Sequence, residues 1–448
     1  MTMMEDRMQQ IRDLTACLKQ EGFRRIHYYM IRTRSRVTSV FPGPHIRQEE
    51  TDDTMYSIEA SHHGRACRMY TNHLEDTSEI IRILKETSEI YGPAEETDVC
   101  YKPREETEDP FCWDSQEQVS RTLKQDWHTA EHAPLIFLVQ KCCYEQNSRE
   151  IWMIDEQMNC IREQDGYHCF TIRAAAEKDG TRSSAADCIY GRNLQSMDME
   201  HCVNRVTEEA RRALGGEKLM SGTYAVILGG KVAAELLAAF LPAFYAENIQ
   251  DGQSPLKGKQ EEQIAPREIC LRELPDSDQG RVRRSVDDEG VPVKEKLLID
   301  QGVFTQPLYN RKTARKDGVT STGNGFRSSI QSDVGTGVTN LILESREPSV
   351  SRADLEQAMG EGILVTRVDG VFAGADSTTG RFSLIAGGRV IRQGKEAETF
   401  REVTISGSFF ECLRQIRKTG EELYTTEPGD ISVSAPDLWT GTLTISGK

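Results

Sequence analysis

Residues 285–328 read SVDDEGVPVKEKLLIDQGVFTQPLYNRKTARKDGVTSTGNGFRS. Apolar runs are short here and alternate with turn signals. Asp287-Asp288-Glu289-Gly290 precedes Val291-Pro292 and a strand-like run at 296–299. The small residues Ser321-Thr322-Gly323-Asn324-Gly325 form a second turn-rich loop. Short strands at close turn spacing predict antiparallel β-structure. Three carboxylates in a row repel one another, so this turn is either exposed or supplied with cations and backbone N–H donors. A loop of small side chains lets another backbone or a ligand come close.

The same texture extends outward over 217–448. A strand at 224–228 leads into a helix at 232–245, and only 352–359 and 410–418 read as later helices. Before Gly215-Gly216, a good helix stop, the pattern differs. Helical spacing recurs at 6–21, 77–91, 115–131 and 199–214. Strand-like runs lie at 24–41, 56–58, 65–70, 135–143, 151–154, 168–175 and 182–190, with a long polar loop at 92–110. Two domains follow: an N-terminal α/β domain, 1–216, and a β-rich domain, 217–448. The fold class is α+β.

A chain of 448 residues exceeds one ordinary core. The formal charge of −16 argues against a nucleic-acid partner, although Arg281, Arg283 and Arg284 suggest a local basic patch. No apolar run approaches the roughly 20 residues of a membrane span. The N-terminus lacks the apolar core of a signal peptide, which places the chain in the cytoplasm. Its twelve cysteines contain no CxxC pair and read as free thiols. Cys142 or Cys412 as a nucleophile would need a histidine base, and no motif supplies one.

Several segments in order carry a resemblance: TYAVILGGKVAAELLAAF, SPLKGK, VDDEGVPVKEKLLIDQGVF, STGNGFRSS, TNLILESRE, GILVTRVDGVFAGADSTTGRFSLIAGGRVIRQGK, VTISGSFFECLRQI and PDLWTGTLTISG. Together they resemble the TldD/PmbA family of metallopeptidase-like proteins, over about 221–448. The resemblance implies a curved, mostly antiparallel sheet in the C-terminal domain. It also implies two arms of the family. One carries HExxxH on the helix after the first strand of that domain, with a cysteine near the C-terminus as third ligand. Two imidazoles one turn apart would hold the metal, and a carboxylate would activate its water.

Aligning the preceding Leu-Leu on Leu236-Leu237 puts Ala238, Ala239 and Ala243 at the His, Glu and His positions. Residues 422–434 contain no cysteine, and the last histidine of the chain is His201. The chain therefore resembles the PmbA arm, also called TldE, which lacks the motif. What this implies is a subunit with no cofactor of its own and no catalytic residue. A TldD-like partner would bring zinc or another divalent metal, and the substrate would be peptides or unfolded segments. Asp287, Asp288, Glu289, Gly290, Gly323, Asn324 and Arg327 carry over as residues shaping a loop and a partner interface. The sequence departs from the family at 261–262, 332–337 and 373–377.

Two alternatives stand beside this reading. One is a non-enzymatic homodimer that binds peptides. The other is a metal site at His128-Thr129-Ala130-Glu131-His132, which fits H-x-x-E-H; surface histidines at a helix C-terminus, favoured by the dipole when protonated, account for it as well.

Overall fold

The computed structural model describes residues 3–43, 45–93, 101, 111–277, 280, 282–426 and 431–448. Most of the expected loop 92–110, and Arg281, lie outside the described residues.

The first half is a helix-flanked sheet. Its elements are α1 (Met3–Gln20), β1 (Arg24–Phe41), β2 (His45–His62), β3 (Arg65–Thr71), α2 (Thr77–Ile90), α3 (Gln116–Glu131), β4 (Ile136–Asp155), β5 (Cys160–Lys178), β6 (Thr181–Gly191) and α4 (Met199–Arg212). The strands lie in the order β3-β2-β1-β4-β5-β6, and every neighbouring pair is antiparallel. Local chemistry sets the helix starts. Asp76 accepts from Glu79 N at 3.0 Å before α2, and Asp198 accepts from His201 N at 2.9 Å before α4. Two apolar clusters anchor the helices, one around Ile11, Leu14, Tyr28 and Leu84, the other around Leu123, Tyr144, Phe170 and Val203.

Sequence reading divides β4 into 135–143 and 151–154, but it is one strand. The polar residues between them belong to the interior: Gln146, Ser148 and Glu150 are buried. Partners reach two of them, Gln146 and Glu150, while the Ser148 hydroxyl has none among the described residues. Asp114 N donates to Gln146 Oε1 at 2.7 Å, and Arg34 pairs with Glu150 at 2.9 Å. Buried polar atoms with partners do not break a strand.

The second half comprises β7 (Gly222–Leu228), α5 (Gly230–Phe240), a 3₁₀ turn (Leu241–Phe244), α6 (Ala246–Gln250), β8 (Ile269–Leu274), β9 (Lys296–Asp300), β10 (Val303–Phe304), α7 (Arg311–Asp317), β11 (Gly325–Phe326), β12 (Gly335–Thr336), β13 (Asn340–Ser345), α8 (Arg352–Met359), β14 (Gly362–Asp369), α9 (Val371–Gly374), β15 (Ala375–Asp376), β16 (Arg381–Arg392), β17 (Lys395–Ser408), α10 (Phe409–Arg414), β18 (Lys418–Thr425) and β19 (Ser432–Ser446). Eleven of its strands form one curled sheet. β14 joins β7 in parallel and β16 in antiparallel fashion, β16 joins β17, and β19 pairs with both β17 and β7, which closes the ladder. The first residues of β19 also pair in parallel with β13, carrying the sheet on to β8, β9 and β10. The curved, mostly antiparallel sheet is as expected. α5 lies against β19, β18 and β14, with Leu236, Leu237 and Phe240 in the core.

The expected helix 232–245 starts earlier and stops at Phe240. Pro242 has no N–H to continue it, and the chain tightens to 3₁₀. Of the expected helix 410–418 only 410–414 forms, in a helix that starts at Phe409; Lys418 already begins β18.

Candidate functional site

Two places concentrate polar chemistry, and both lie where the halves of the chain meet. The first gathers the motif residues of 285–328. Asp287 is buried, and three backbone N–H groups satisfy it: Gly325 N at 2.9 Å on Oδ2, Glu289 N at 3.0 Å and Val291 N at 2.8 Å on Oδ1. Burial still pushes its carboxyl up to about 7, against the pull of these N–H groups. Asp288 lies a few ångströms away and behaves oppositely. Burial works against its charge, yet the Arg284 guanidinium at 2.6 Å, the Arg327 N–H at 2.8 Å and nearby Arg149 hold it below the usual carboxylate range. Glu289 accepts from Arg311 N at 2.7 Å, and burial raises its carboxyl.

The second loop locks into the first. Gly323 has φ of 75°, and a Cβ there would sit 2.5 Å from Pro292 O. Asn324 Nδ2 donates to both oxygens of the fully buried Glu273, at 3.1 and 2.9 Å, and Lys296 pairs with the same carboxylate at 2.8 Å. Gly290, with φ of 75°, turns the chain against the Tyr101 ring.

Both loops press on the N-terminal sheet. Tyr29 donates to Asp288 Oδ1 at 3.1 Å, Arg327 reaches Glu59 at 2.7 Å, Ser285 N donates to Glu163 at 2.7 Å, and Arg283 N donates to Asp165 at 2.9 Å. Of the expected basic patch, Arg281 lies outside the described residues and the other two members are paired. Arg284 is buried against Asp288, and Arg283 pairs with Asp276. Asp287, Asp288, Glu289, Gly290, Gly323, Asn324 and Arg327 thus come together, enclosed by this chain, as an ionic seam between its halves. No nucleophile with a base is among them.

The helix positions Ala238, Ala239 and Ala243 lie elsewhere. Ala238 and Ala239 pack on the C-terminal core, and Ala243 is fully buried in the 3₁₀ turn. Methyl groups have no lone pair to give, so this helix does not fit the metal that the HExxxH arm would hold. Among the described residues no group of three or more His, Cys, Asp or Glu is arranged to hold an ion.

His128 and His132 sit exposed at the end of α3. Their rings stack at 4.0 Å, and His132 Nδ1 lies 2.9 Å from His128 O. The pair is at the C-terminal end of α3. Cys142 and Cys412 are buried; desolvation raises both thiols, Cys412 to about 12, which leaves them protonated and unreactive. Every described cysteine is free.

The second polar place is one the sequence did not disclose. A cleft of about 690 Å³ opens beside α4 and β18. A second cavity, about 910 Å³, opens beyond β6. A narrow passage of about 70 Å³ shares Arg205, Arg352 and Tyr424 with the first and Ala185, Ala186 and Lys231 with the second. Between them Arg352 grips Asp437 with Nε at 2.7 Å and Nη2 at 2.9 Å, and Asp437 accepts from Gly230 N at 2.7 Å. Arg205 and Arg352 flank the Tyr424 ring at 5.1 and 5.9 Å. Lys231 pairs with Asp187 at 2.7 Å, and Arg205 pairs with the other oxygen of the same carboxylate. Gly230 opens α5 because a Cβ there would meet Tyr424 and, at 2.9 Å, Ala435 O. The polar residues are scattered from 187 to 437, and no spacing in the sequence links them.

The C-terminal half matches the model of the PmbA/TldA metallopeptidase C-terminal domain over residues 221–447. The chain belongs to the PmbA/TldD family. A protein of Methanocaldococcus jannaschii is 31% identical over 195 residues, 43% of this chain and 45% of that protein. The metalloprotease PmbA homologue of Buchnera aphidicola is 26% identical over 230 residues, 51% of this chain and 48% of its own length. The matches span about half the length of these curated relatives. In structure, TldE of Thermococcus kodakarensis superposes with a TM-score of 0.86 at 20% identity, covering 98% of this chain and 100% of that one. The last likeness establishes the fold. As a family member the protein is metallopeptidase-related, and no described helix is long and apolar enough to cross a membrane.

Proposed function

We propose that this chain is the PmbA-like subunit, without a metal of its own, of a cytoplasmic peptidase complex. A TldD-like subunit supplies the zinc or other divalent metal, and the substrates are peptides or unfolded segments. The observation that carries this reading is α5. It follows the first strand of the C-terminal half, where the resemblance to the family puts the metal helix, and it presents Ala238 and Ala239 and breaks into 3₁₀ before Ala243. Carbon-only side chains supply neither a ligand nor a base. The role left to the chain is to hold its partner and to shape the chamber around a substrate, for which exposed strand edges offer main-chain hydrogen bonds to an extended peptide.

The test is co-expression with a TldD-like chain from the same organism, followed by size-exclusion chromatography and hydrolysis of unfolded casein. The expected result is a stable complex that cleaves casein and is stopped by a chelator, while this chain alone is inert. Failure to co-elute overturns the partner claim. Chelator-sensitive cleavage by the purified chain alone overturns the non-metal role.

A further inference from the structure

The 910 Å³ cavity has a free strand edge as one wall. β6 ends the N-terminal sheet and, among the described residues, pairs only with β5. Two contacts show which backbone groups face away from β5. Ala186 O accepts Lys231 Nζ at 2.6 Å, and Cys188 N donates to the Asp187 side chain at 2.9 Å. N–H and C=O of one residue point the same way in a strand, and successive residues alternate. The even-numbered residues of β6 therefore turn their main-chain groups outward, and Ser184 and Ala186 bring theirs into the cavity wall. Among the described residues no main-chain group pairs with Ser184 on that side.

The opposite wall belongs to the C-terminal half, with β14, the Gly387-Gly388 bulge of β16, and β17. Charge singles this cavity out. Six cations and four carboxylates line it; Arg182, Lys231, Arg367 and Arg389 are already paired with carboxylates, which leaves Arg173 and Arg401. Arg173 and Arg401 are exposed on facing walls and have no acidic partner among the described residues. At the outer lip Phe137 and Leu138 are 46% and 38% exposed, and the Arg182 guanidinium lies 5.0 Å from the Phe137 ring. Uncovered aromatic and aliphatic side chains beside a strand edge are anchors for a partner's side chains.

We propose that this cavity binds an extended acidic polypeptide segment, added as a strand to the free edge of β6. Main-chain bonds to the N–H and C=O of Ser184 and to the N–H of Ala186, whose carbonyl already accepts from Lys231, hold its backbone. Arg173 and Arg401 take its carboxylates, and Phe137 and Leu138 take an apolar side chain. Its volume suits about five extended residues. The site needs neither a metal nor a second subunit, so it stands apart from the peptidase reading.

The probe is a fluorescein-labelled peptide of about twelve residues alternating Glu and Val, long enough to cross the cavity. Its binding to the full-length chain alone is read by fluorescence anisotropy. The acidic peptide is expected to bind. A Lys–Val peptide, and the acidic peptide N-methylated at alternate residues, are expected to bind at least about tenfold more weakly. Arg401→Glu and Arg173→Glu, both at exposed positions, are expected to reverse the preference between the Glu and Lys peptides. Ser184→Pro removes an outward N–H at an edge where proline is tolerated and is expected to weaken binding without altering the melting curve. Equal binding of the N-methylated peptide overturns strand addition. Absence of binding, or tighter binding of a single-stranded oligonucleotide of similar length, overturns the acidic-peptide assignment. None of these results bears on assembly with a TldD-like chain.

Discussion

Arg284 Nη2 lies 2.6 Å from Asp288 Oδ1, and each side chain keeps only 2% of its surface in water. The pair sits in the seam between the two halves, with Tyr29 from one side and Arg327 N from the other completing the carboxylate's shell. Removing one partner of such a pair leaves an uncompensated buried charge. Arg284→Met is expected to destabilise the chain by about 3–5 kcal/mol, measured by urea unfolding. Adding Asp288→Asn should restore part of the loss. A single variant within about 1 kcal/mol of the parent would mean that water or rearrangement rescues Asp288.

A second expectation concerns pH. Glu356 on α8 is buried, its Oε1 has no hydrogen-bond partner, and desolvation together with nearby Glu396 raises its carboxyl to about 7 from an ordinary 4.5. Its contribution to stability is full below pH 4.5 and is lost as pH rises through 7. Glu356→Gln mimics the protonated form. Its melting temperature should match the parent's near pH 5 and exceed it by a few degrees at pH 8. A gap that is constant across pH would sink the assignment.

Asn324 offers its amide to Glu273, a carboxylate with no exposed surface. Asn324→Asp replaces that donor with a second carboxylate. The variant should lose several kcal/mol at pH 8 and recover much of it near pH 5, where one of the pair can hold a proton. Asn324→Ala, which removes a hydrogen bond but adds no charge, should cost about 1–3 kcal/mol with little pH dependence. Similar losses for both at pH 8 would show that charge is not the issue.

Metal dependence gives a fourth expectation. Zinc content of the purified chain, measured by plasma mass spectrometry, should be near zero, and a chelator should leave the melting curve in place. His128→Ala should change neither. About one zinc per chain, lost on His128→Ala, would instead assign the ion to the stacked pair at the end of α3.

Helices were legible from the sequence where apolar residues recur at helical spacing, as in 77–90 and 116–131, each within a residue or two. The middle of β4 was not, because the polar Gln146, Ser148 and Glu150 interrupt the apolar pattern although all three are buried, Gln146 and Glu150 with partners from distant residues. The motif loops could be found as turns. That they face the N-terminal sheet depends on Tyr29, Glu59, Glu163 and Asp165, residues 118 to 268 positions away whose types carry no signal alone. The Arg205–Tyr424–Arg352 stack and the edge of β6 escaped for the same reason: each exists only once the two sheets are placed.

The long strand β19 touches β13, β18, β7 and β17. In a nascent chain this has a consequence for timing. The first sheet is a set of hairpins plus the β1–β4 pairing, contacts available soon after residue 191 has emerged. The second cannot close its ladder until residues 432–446 have left the ribosome, more than two hundred residues after β7. During that interval the first half is formed, and the apolar face of α5 waits without its main neighbour. Chains stalled before residue 432 should accordingly give up their second half to a brief protease pulse and keep the first.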